Sequence, residues 1–374
     1  MVFITTLILP TLLLASSIAP VSANIPFSIR RDGQLRARNT TWIYTERVSN
    51  AGCPAFSGNI TVNSYQLYPE HADFNREKCL VYLSALYNTS IAVYDPYKDQ
   101  IVDNIDLPGM SGDPVLHLSG VIVDPQGLLS VIVDAGAAFD TEGQDISGDN
   151  FLVKLDTSSA EVLWRKNLTE VTNGVYGGYQ DAVHDAYGNI FVLGTFPSSI
   201  IKVNANGSTA IPWYLQPHAN HTVHGLTGLA SSGDILLATD ASDGQLYQFN
   251  VTEELGHRVR VHLQGNQTSI GSGSDGILLP SQFNGTVLLV SDNIDGTFVL
   301  RSTDGFWTSA EVLGVVPNIY GSQNGSTVDS LEIGGSLYSV IEWFRDDKVP
   351  GSLAGNRTQF PLVDITNDVL ALLN

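Results

Sequence analysis

One pattern recurs down the chain and constrains its fold more than any single motif. A short apolar strand is followed by a turn carrying Gly, Asn or Asp, a second apolar strand ending in a small or acidic residue, and a third strand. "SGVIVDPQGLLSVIVDAG" (Ser119–Gly136) is the clearest copy, followed by "QDAVHDAYGNIFVLGTF" (Gln180–Phe196). "HGLTGLASSGDILLATDASDGQLYQFN" (His224–Asn250) and "SDGILLPSQFNGTVLLVSDNIDGTFVLR" (Ser274–Arg301) continue the series. "VDSLEIGGSLYSVIEW" (Val328–Trp343) and "PEHADFNREKCLVYLSALYNTSIAVYD" (Pro69–Asp95) are degenerate copies. Almost no 3.6-residue periodicity interrupts them between Tyr68 and Ser339. Six copies spaced about 45 to 60 residues apart predict an all-β chain forming a single six-bladed β-propeller. A β-sandwich explains the repeats poorly. The last blade lacks a closing strand, and "NITVNSYQL" (Asn59–Leu67) can supply it from the N-terminal side.

The chain opens with "MVFITTLILPTLLLASSIAPVSAN", whose apolar run leads into the small-x-small pattern Val21-Ser22-Ala23. This predicts a signal peptide over residues 1–23, an N-terminal tail over 24–58 and the propeller over 59–374. The run is too short to span a bilayer, so no transmembrane anchor is expected. Arg30-Arg31 is either a dibasic processing site or part of a flexible tail. N-x-[ST] acceptors at Asn39, Asn59, Asn88, Asn167, Asn206, Asn220, Asn250, Asn266, Asn284, Asn324 and Asn356 suit glycosylation in the secretory pathway, with the protein secreted or vesicular. In that compartment the two cysteines, Cys53 and Cys79, are expected to form a disulfide beside the first blade. With 18 Lys and Arg against 38 Asp and Glu, the net charge of −20 argues against nucleic acid or anionic membranes as partners.

Between two strands of the second repeat lies "DAGAAFDTEGQDISGDN" (Asp134–Asn150), where the equivalent turns "DASDG" (Asp240–Gly244) and "DNIDG" (Asp292–Gly296) are short. So long a connection in a compact domain is more often functional than accidental. It reads as a lid or pocket wall. A decorative surface loop and a calcium loop are the alternatives, the latter lacking D-x-[DN]-x-[DN]-G spacing. "GSGSDG" (Gly271–Gly276) matches G-x-G-x-x-G, but a strand and not a helix follows, against a phosphate cradle. His218, His221 and His224 in "HANHTVH" are spaced for neither a strand-borne nor a loop-borne zinc site, and no metal is expected.

The residues leading into the innermost strands converge on the centre of a propeller. Alignment of the repeats places Glu70, His117, Asp181, His224, Asp275 and Asp329 there. Aspartates at such positions often bond neighbouring backbone amides, but six titratable groups around one funnel suit acid–base chemistry. His224, Asp275 and Asp181 are the expected catalytic groups, with a protonated His224 as the acid. His117, Glu70 and Asp329 are expected to hold substrate. Tyr176, Tyr179, Trp213, Tyr214, Tyr320, Phe139, Phe196 and Trp343 are expected to wall the funnel, with Tyr176, Tyr179, Phe196 and Trp343 touching substrate. Such a lining suits a hydrophobic small molecule.

The stretch from Asp113 to Asp156, "DPVLHLSGVIVDPQGLLSVIVDAGAAFDTEGQDISGDNFLVKLD", and "YGGYQDAVHDAYGNIFVLGTFPSSIIKV" (Tyr176–Val203) resemble a fungal family of secreted six-bladed propellers. The family includes the trichothecene-cluster propeller protein and, more distantly, a yeast surface allergen. The hetero-Diels–Alderases of tropolone-sesquiterpenoid pathways are similar in kind. The likeness spans most of Glu70–Glu342. It implies cofactor-independent closure of an oxygen ring on a sesquiterpenoid, a terpenoid or tropolone-like substrate, and loss of a hydroxyl. In one version a tropolone quinone methide adds to humulene; in the other an allylic hydroxyl leaves while a second oxygen attacks. Two rival classes remain: a lipid-binding propeller without chemistry, and a gluconolactonase-like metal hydrolase with Glu70 and Asp275 as calcium ligands. The Asn that such a hydrolase would place between them is missing, since the fourth repeat reads "HGLTG".

Overall fold

The computed structural model describes residues 52–374, except Ala219 and Asn266. The expected signal peptide, most of the tail, Arg30-Arg31 and the sequons at Asn39 and Asn266 therefore lie outside the described residues.

Six sheets radiate from a common axis, antiparallel throughout except where His262–Gln264 pairs parallel with Ser309–Pro317 at the outer edge of blade five. Their innermost strands, blades one to six, are Ala72–Asn75, Leu116–Val123, Gly177–His184, Leu226–Ser232, Ser274–Leu278 and Ser326–Ile333. Each is followed outward by a hairpin-connected second and third strand. In the sixth blade the outermost strand is Ile60–Asn63, which pairs antiparallel with Gln359–Asp364, Ile60 opposite Leu362 and Asn63 opposite Gln359. The segment before Tyr68 thus closes the ring, as its sequence suggests. Cys53 and Cys79 are bonded, with Cα atoms 5.4 Å apart, tying the approach to this strand to blade one.

The apolar runs have a packing reason. A middle strand of a blade is covered by a neighbouring sheet on each face, so both of its faces are apolar. Within Leu129–Ala135, Leu129, Val131 and Val133 pack with Tyr82 and Val93 of blade one. Ile132 points the other way and packs with Ile190 and Val192 of blade three. The turns are made by aspartates at strand ends: Asp124 Oδ1 accepts from the amides of Gln126 and Leu128, both at 2.8 Å, while Gly127 takes φ +75°. After the last strand, the helix Thr366–Leu373 lays Val369 and Leu372 against Leu289, Val316 and Leu337, sealing the outer edges of blades five and six. Among the described residues no helix is long and apolar enough to cross a membrane.

The inner strands carry the feature that shapes the site. In blades two to six each has a bulge, at Leu118/Gly120, Tyr179/Asp181, Leu226/Leu229, Ser274/Ile277 and Thr327/Asp329. A bulge sets two residues against one on the partner strand and re-aims their side chains. In blade one the Ser84 hydroxyl takes this place, accepting from the amides of Glu70 and His71 at 3.0 and 2.8 Å.

Candidate functional site

A cavity of about 800 Å³ opens where the chain runs into the inner strands. Its residues fall into levels set by the bulges. Highest are His117 and His224; deeper come Glu70, Ser119, Gln180 and Asp275. One residue further along the inner strands, beneath this floor, lie His71, Asp181 and Asp329.

The upper wall is aromatic. His224 is exposed into the cavity and stacks on Phe196, which meets Phe139 edge-on at 5.5 Å. Phe139 belongs to the short helix Ala137–Asp140 in the acidic loop, and Asp140 and Glu142 of that loop line the cavity too. His221 Nδ1 meets Gly143 O, tying the loop to the chain before blade four. The ends of the loop are structural. Asp134 bonds Ser119 Oγ, and Asn150 Oδ1 accepts from the Ala135 amide at 3.0 Å. His117 lies flat over Gly136, where a Cβ would stand 2.6 Å from the ring, and meets Tyr87 edge-on at 5.4 Å. Leu86, Ile294 and Phe344 add apolar surface; Arg345 and Lys348 stand at the mouth.

The floor is acidic, and its carboxyls hold protons more tightly than exposed ones. Enclosure pushes the Glu70 carboxyl well above the ordinary range, and the nearby Asp275, Glu342, Asp134 and Asp329 push it further. Its Oε2 has no hydrogen-bond partner. Burial raises Asp275 to about 7, against a 2.8 Å bond from Asn293 Nδ2 and helped by the charges of Asp329 and Asp181. Asp134 is raised by burial to about 7, and Glu342, fully buried with both oxygens unpartnered, lies well above its usual range. Glu70 and Asp275 thus keep their protons to higher pH than ordinary carboxyls, facing a cavity with aromatic walls.

Several expectations are corrected by this geometry. Asp181 and Asp329 do not line the cavity: their Oδ2 atoms accept from the amides of Leu229, at 2.7 Å, and Ala72, at 3.1 Å, each in an adjacent blade. His224 is not a protonated acid between carboxylates. Its walls lower its proton affinity, Glu142 and Asp240 offset this only in part, and Asp181 and Asp275 are not its partners. Burial likewise lowers His117. Tyr179, fully buried, packs between blades two and three, its hydroxyl 3.2 Å from Thr172 Oγ1. Tyr176 is buried and donates to Gln216 O at 3.0 Å. Trp343 is buried under the Arg357 guanidinium, 3.9 Å above its ring, and donates to Gln323 O. Trp213 and Tyr214 pack on Phe249, and Tyr320 packs on Trp343. Of the expected walls only Phe139 and Phe196 face the cavity. Ser119, Asp134, Tyr87, Glu342 and His71 were not singled out by the sequence. "PEHADF" set His71 beside Glu70, and that adjacency was the available signal.

Gly271–Gly276 forms no helix start; Gly273 donates its amide to Asp292 Oδ2 at 3.1 Å and leads into a strand. Among the described residues no three His, Cys, Asp or Glu side chains converge as a metal-ligand set. Of the described sequon asparagines all but the half-buried Asn167 are exposed, and Asn324 borders the cavity mouth.

Comparison with known proteins agrees with this architecture. The chain is 31% identical over 349 residues to "Trichothecene biosynthesis protein 14" of Trichoderma arundinaceum, covering 89% of this chain and 94% of the relative. It is 30% identical over 358 residues to "Core trichothecene cluster (CTC) protein 14" of Fusarium sporotrichioides, covering 90% and 93%. The crystal structure of the Malassezia sympodialis allergen Mala s 1 superposes with a TM-score of 0.71 at 22% identity, over 83% of this chain and 96% of the allergen. A gluconolactonase from Xanthomonas campestris superposes less well, with a TM-score of 0.51 at 14% identity over 82% and 89%, a likeness of fold alone. The family described as Mal s 1 allergenic protein-like matches residues 48–315, and the chain belongs to that family.

Proposed function

We propose that this chain is a cofactor-independent cyclase of fungal secondary metabolism, closing an oxygen ring on a hydroxylated sesquiterpenoid as a hydroxyl leaves. The observation that carries the reading is the pair Glu70 and Asp275, two cavity-lining carboxyls whose burial raises their proton affinity beneath an aromatic wall. Relatives of about 30% identity named for trichothecene biosynthesis support a role in such metabolism. One carboxylic acid protonates the departing hydroxyl, the C–O bond breaks and water leaves. A second substrate oxygen attacks the electron-poor carbon, and the resulting carboxylate takes the proton from that oxygen, restoring the acid. The wall of Phe139, Phe196 and His224 holds the apolar skeleton so that the attacking oxygen approaches one face. The signal sequence and sequons support operation in the secretory pathway, on a glycosylated chain.

The test is incubation of the purified protein with an allylic sesquiterpenoid diol carrying ¹⁸O in the attacking hydroxyl. Conversion to a cyclic ether that retains the label, lost in Glu70→Gln, is the expected result. Tight binding without conversion would make the chain a carrier and overturn the reading.

A further inference from the structure

Two consecutive residues of blade one face different tasks. Glu70 reaches the cavity, and His71 stands one level below. The residues at His71's level in the other inner strands follow from the bulges and from the bonds between blades. Ala72 and Leu229, each next after that level, donate to Asp329 and Asp181. Round the ring from blade one to blade six the level therefore reads His71, Gly120, Asp181, Gly228, Gly276, Asp329.

The three glycines have a steric cause. A Cβ on Gly228 would stand 2.4 Å from Asp275 O, one on Gly276 2.7 Å from Asp329 Oδ1, and one on Gly120 2.8 Å from Gln180 O. Inner strands this close leave the axis itself to one long side chain. His71 fills it: Nε2 lies 3.5 Å from Asp181 Oδ1 and Nδ1 lies 3.5 Å from Asp329 Oδ2. Blades three and six stand opposite each other in a ring of six, so an imidazole that touches both lies across the axis.

We propose that His71 is a fixed imidazolium on the propeller axis, a positioning residue that keeps Asp329 as a carboxylate and bridges across the axis to Asp181, beneath the cavity floor of Glu70 and Asp275. The assignment of Glu70 and Asp275 as the acids rests on the proposed function; the charge state of His71 does not. A neutral ring would leave buried carboxylate charge uncompensated, whereas an imidazolium sets a positive charge 3.5 Å from an oxygen of each aspartate. The groups facing His71 are Glu70 and Asp73 on its own segment, Asp181 of blade three, Asp275 of blade five and Asp329 of blade six, all acidic. Burial alone would lower the imidazole's proton affinity, but Asp329, Asp181 and Asp73 outweigh it and hold the ring to about 10.

The test is ¹⁵N NMR of the imidazoles of the full folded chain, with His71→Gln identifying the His71 signals. Both ring nitrogens of His71 are expected to remain protonated at pH 8, and the Asp329 carboxyl ¹³C signal to titrate about one unit or more higher in His71→Gln. A His71 ring that is neutral at pH 7 overturns the proposal, as does an unshifted Asp329 in a folded His71→Gln. Should His71→Gln not fold, the wild-type rings are assigned through selective labelling and decide the matter. Neither readout requires turnover, so a protein that binds without converting substrate leaves this result standing.

Discussion

The His224 imidazole lies at 25° to the plane of the Phe196 ring, with centroids 5.2 Å apart. A ring stacked on an aromatic face and held below its ordinary proton affinity serves as wall rather than acid. His224→Ala is expected to raise KM and yield mixed stereoisomers while the pH–rate profile keeps its shape. A profile displaced along the pH axis would return His224 to proton transfer.

Proton donation falls to the floor. Glu70→Gln and Asp275→Asn should each reduce kcat by about 10²-fold. Because the protonated acids are the working form, wild-type kcat/KM should fall as pH rises through about 7, the value to which Asp275 is raised. Steady-state rates of both variants between pH 5 and 9 check this; undiminished rates would place the chemistry elsewhere.

Stability follows the same groups. Asp134 and Asp275, raised to about 7, and Asp329, raised to about 6, bind protons more tightly folded than unfolded, as does His71. Their contribution is complete below the unfolded carboxylate range and is lost as pH rises through the folded values. Asp95 and Asp364 are lowered and act oppositely near pH 4, and His117, His184 and His224, lowered by burial, act oppositely below about pH 6.5. Glu70, Asp73 and Glu342, also raised, join the first set, which outnumbers them. Urea unfolding should therefore show higher stability at pH 5 than at pH 8. The reverse order would contradict the buried acids.

The acidic loop can be shortened only between its anchors. Replacing residues 137–147 by a short turn leaves Asp134, Gly136 and Asn150 in place and removes Phe139 from the wall. The protein should fold with an unchanged melting temperature and lose product selectivity. If selectivity with the natural substrate persisted, the loop would be no part of the site.

Cys53 and Cys79, 26 residues apart, hold the approach to the closing strand. Changing both to Ser should cost about 3 kcal/mol, measured by denaturant unfolding. A loss near zero would mean that strand pairing alone secures the ring.

The blades were legible because a middle strand covered on both faces must be apolar on both, as in Leu129–Ala135, and because strand-end aspartates such as Asp124 mark the turns. The closing strand was legible from its length and place. The site was less so. Aligning the repeats on their polar residues treated Glu70, Asp181 and Asp275 as equivalent, whereas the bulges put Glu70 and Asp275 at the cavity and Asp181 one step beneath it. A bulge leaves no mark in composition, so the side from which a side chain emerges cannot be counted from the strand's start. The same shift turned Tyr179 into the packing between blades. Asp134 and Glu342 are the acidic residues that end the second strand in the repeat pattern, and only the converging sheets make buried acids of them.

The pairing of Ile60–Asn63 with Gln359–Asp364 also orders events in the chain's making. Among the described residues the first strand to emerge from the ribosome has the last one as its partner. Blades one to five can gather as they emerge, but the ring cannot shut until Gln359–Asp364 has been made. Until then an unpaired strand and an open sixth sheet wait for each other across almost three hundred residues, and a loop that long closes slowly. A chain cut short before Gln359 is left an open arc.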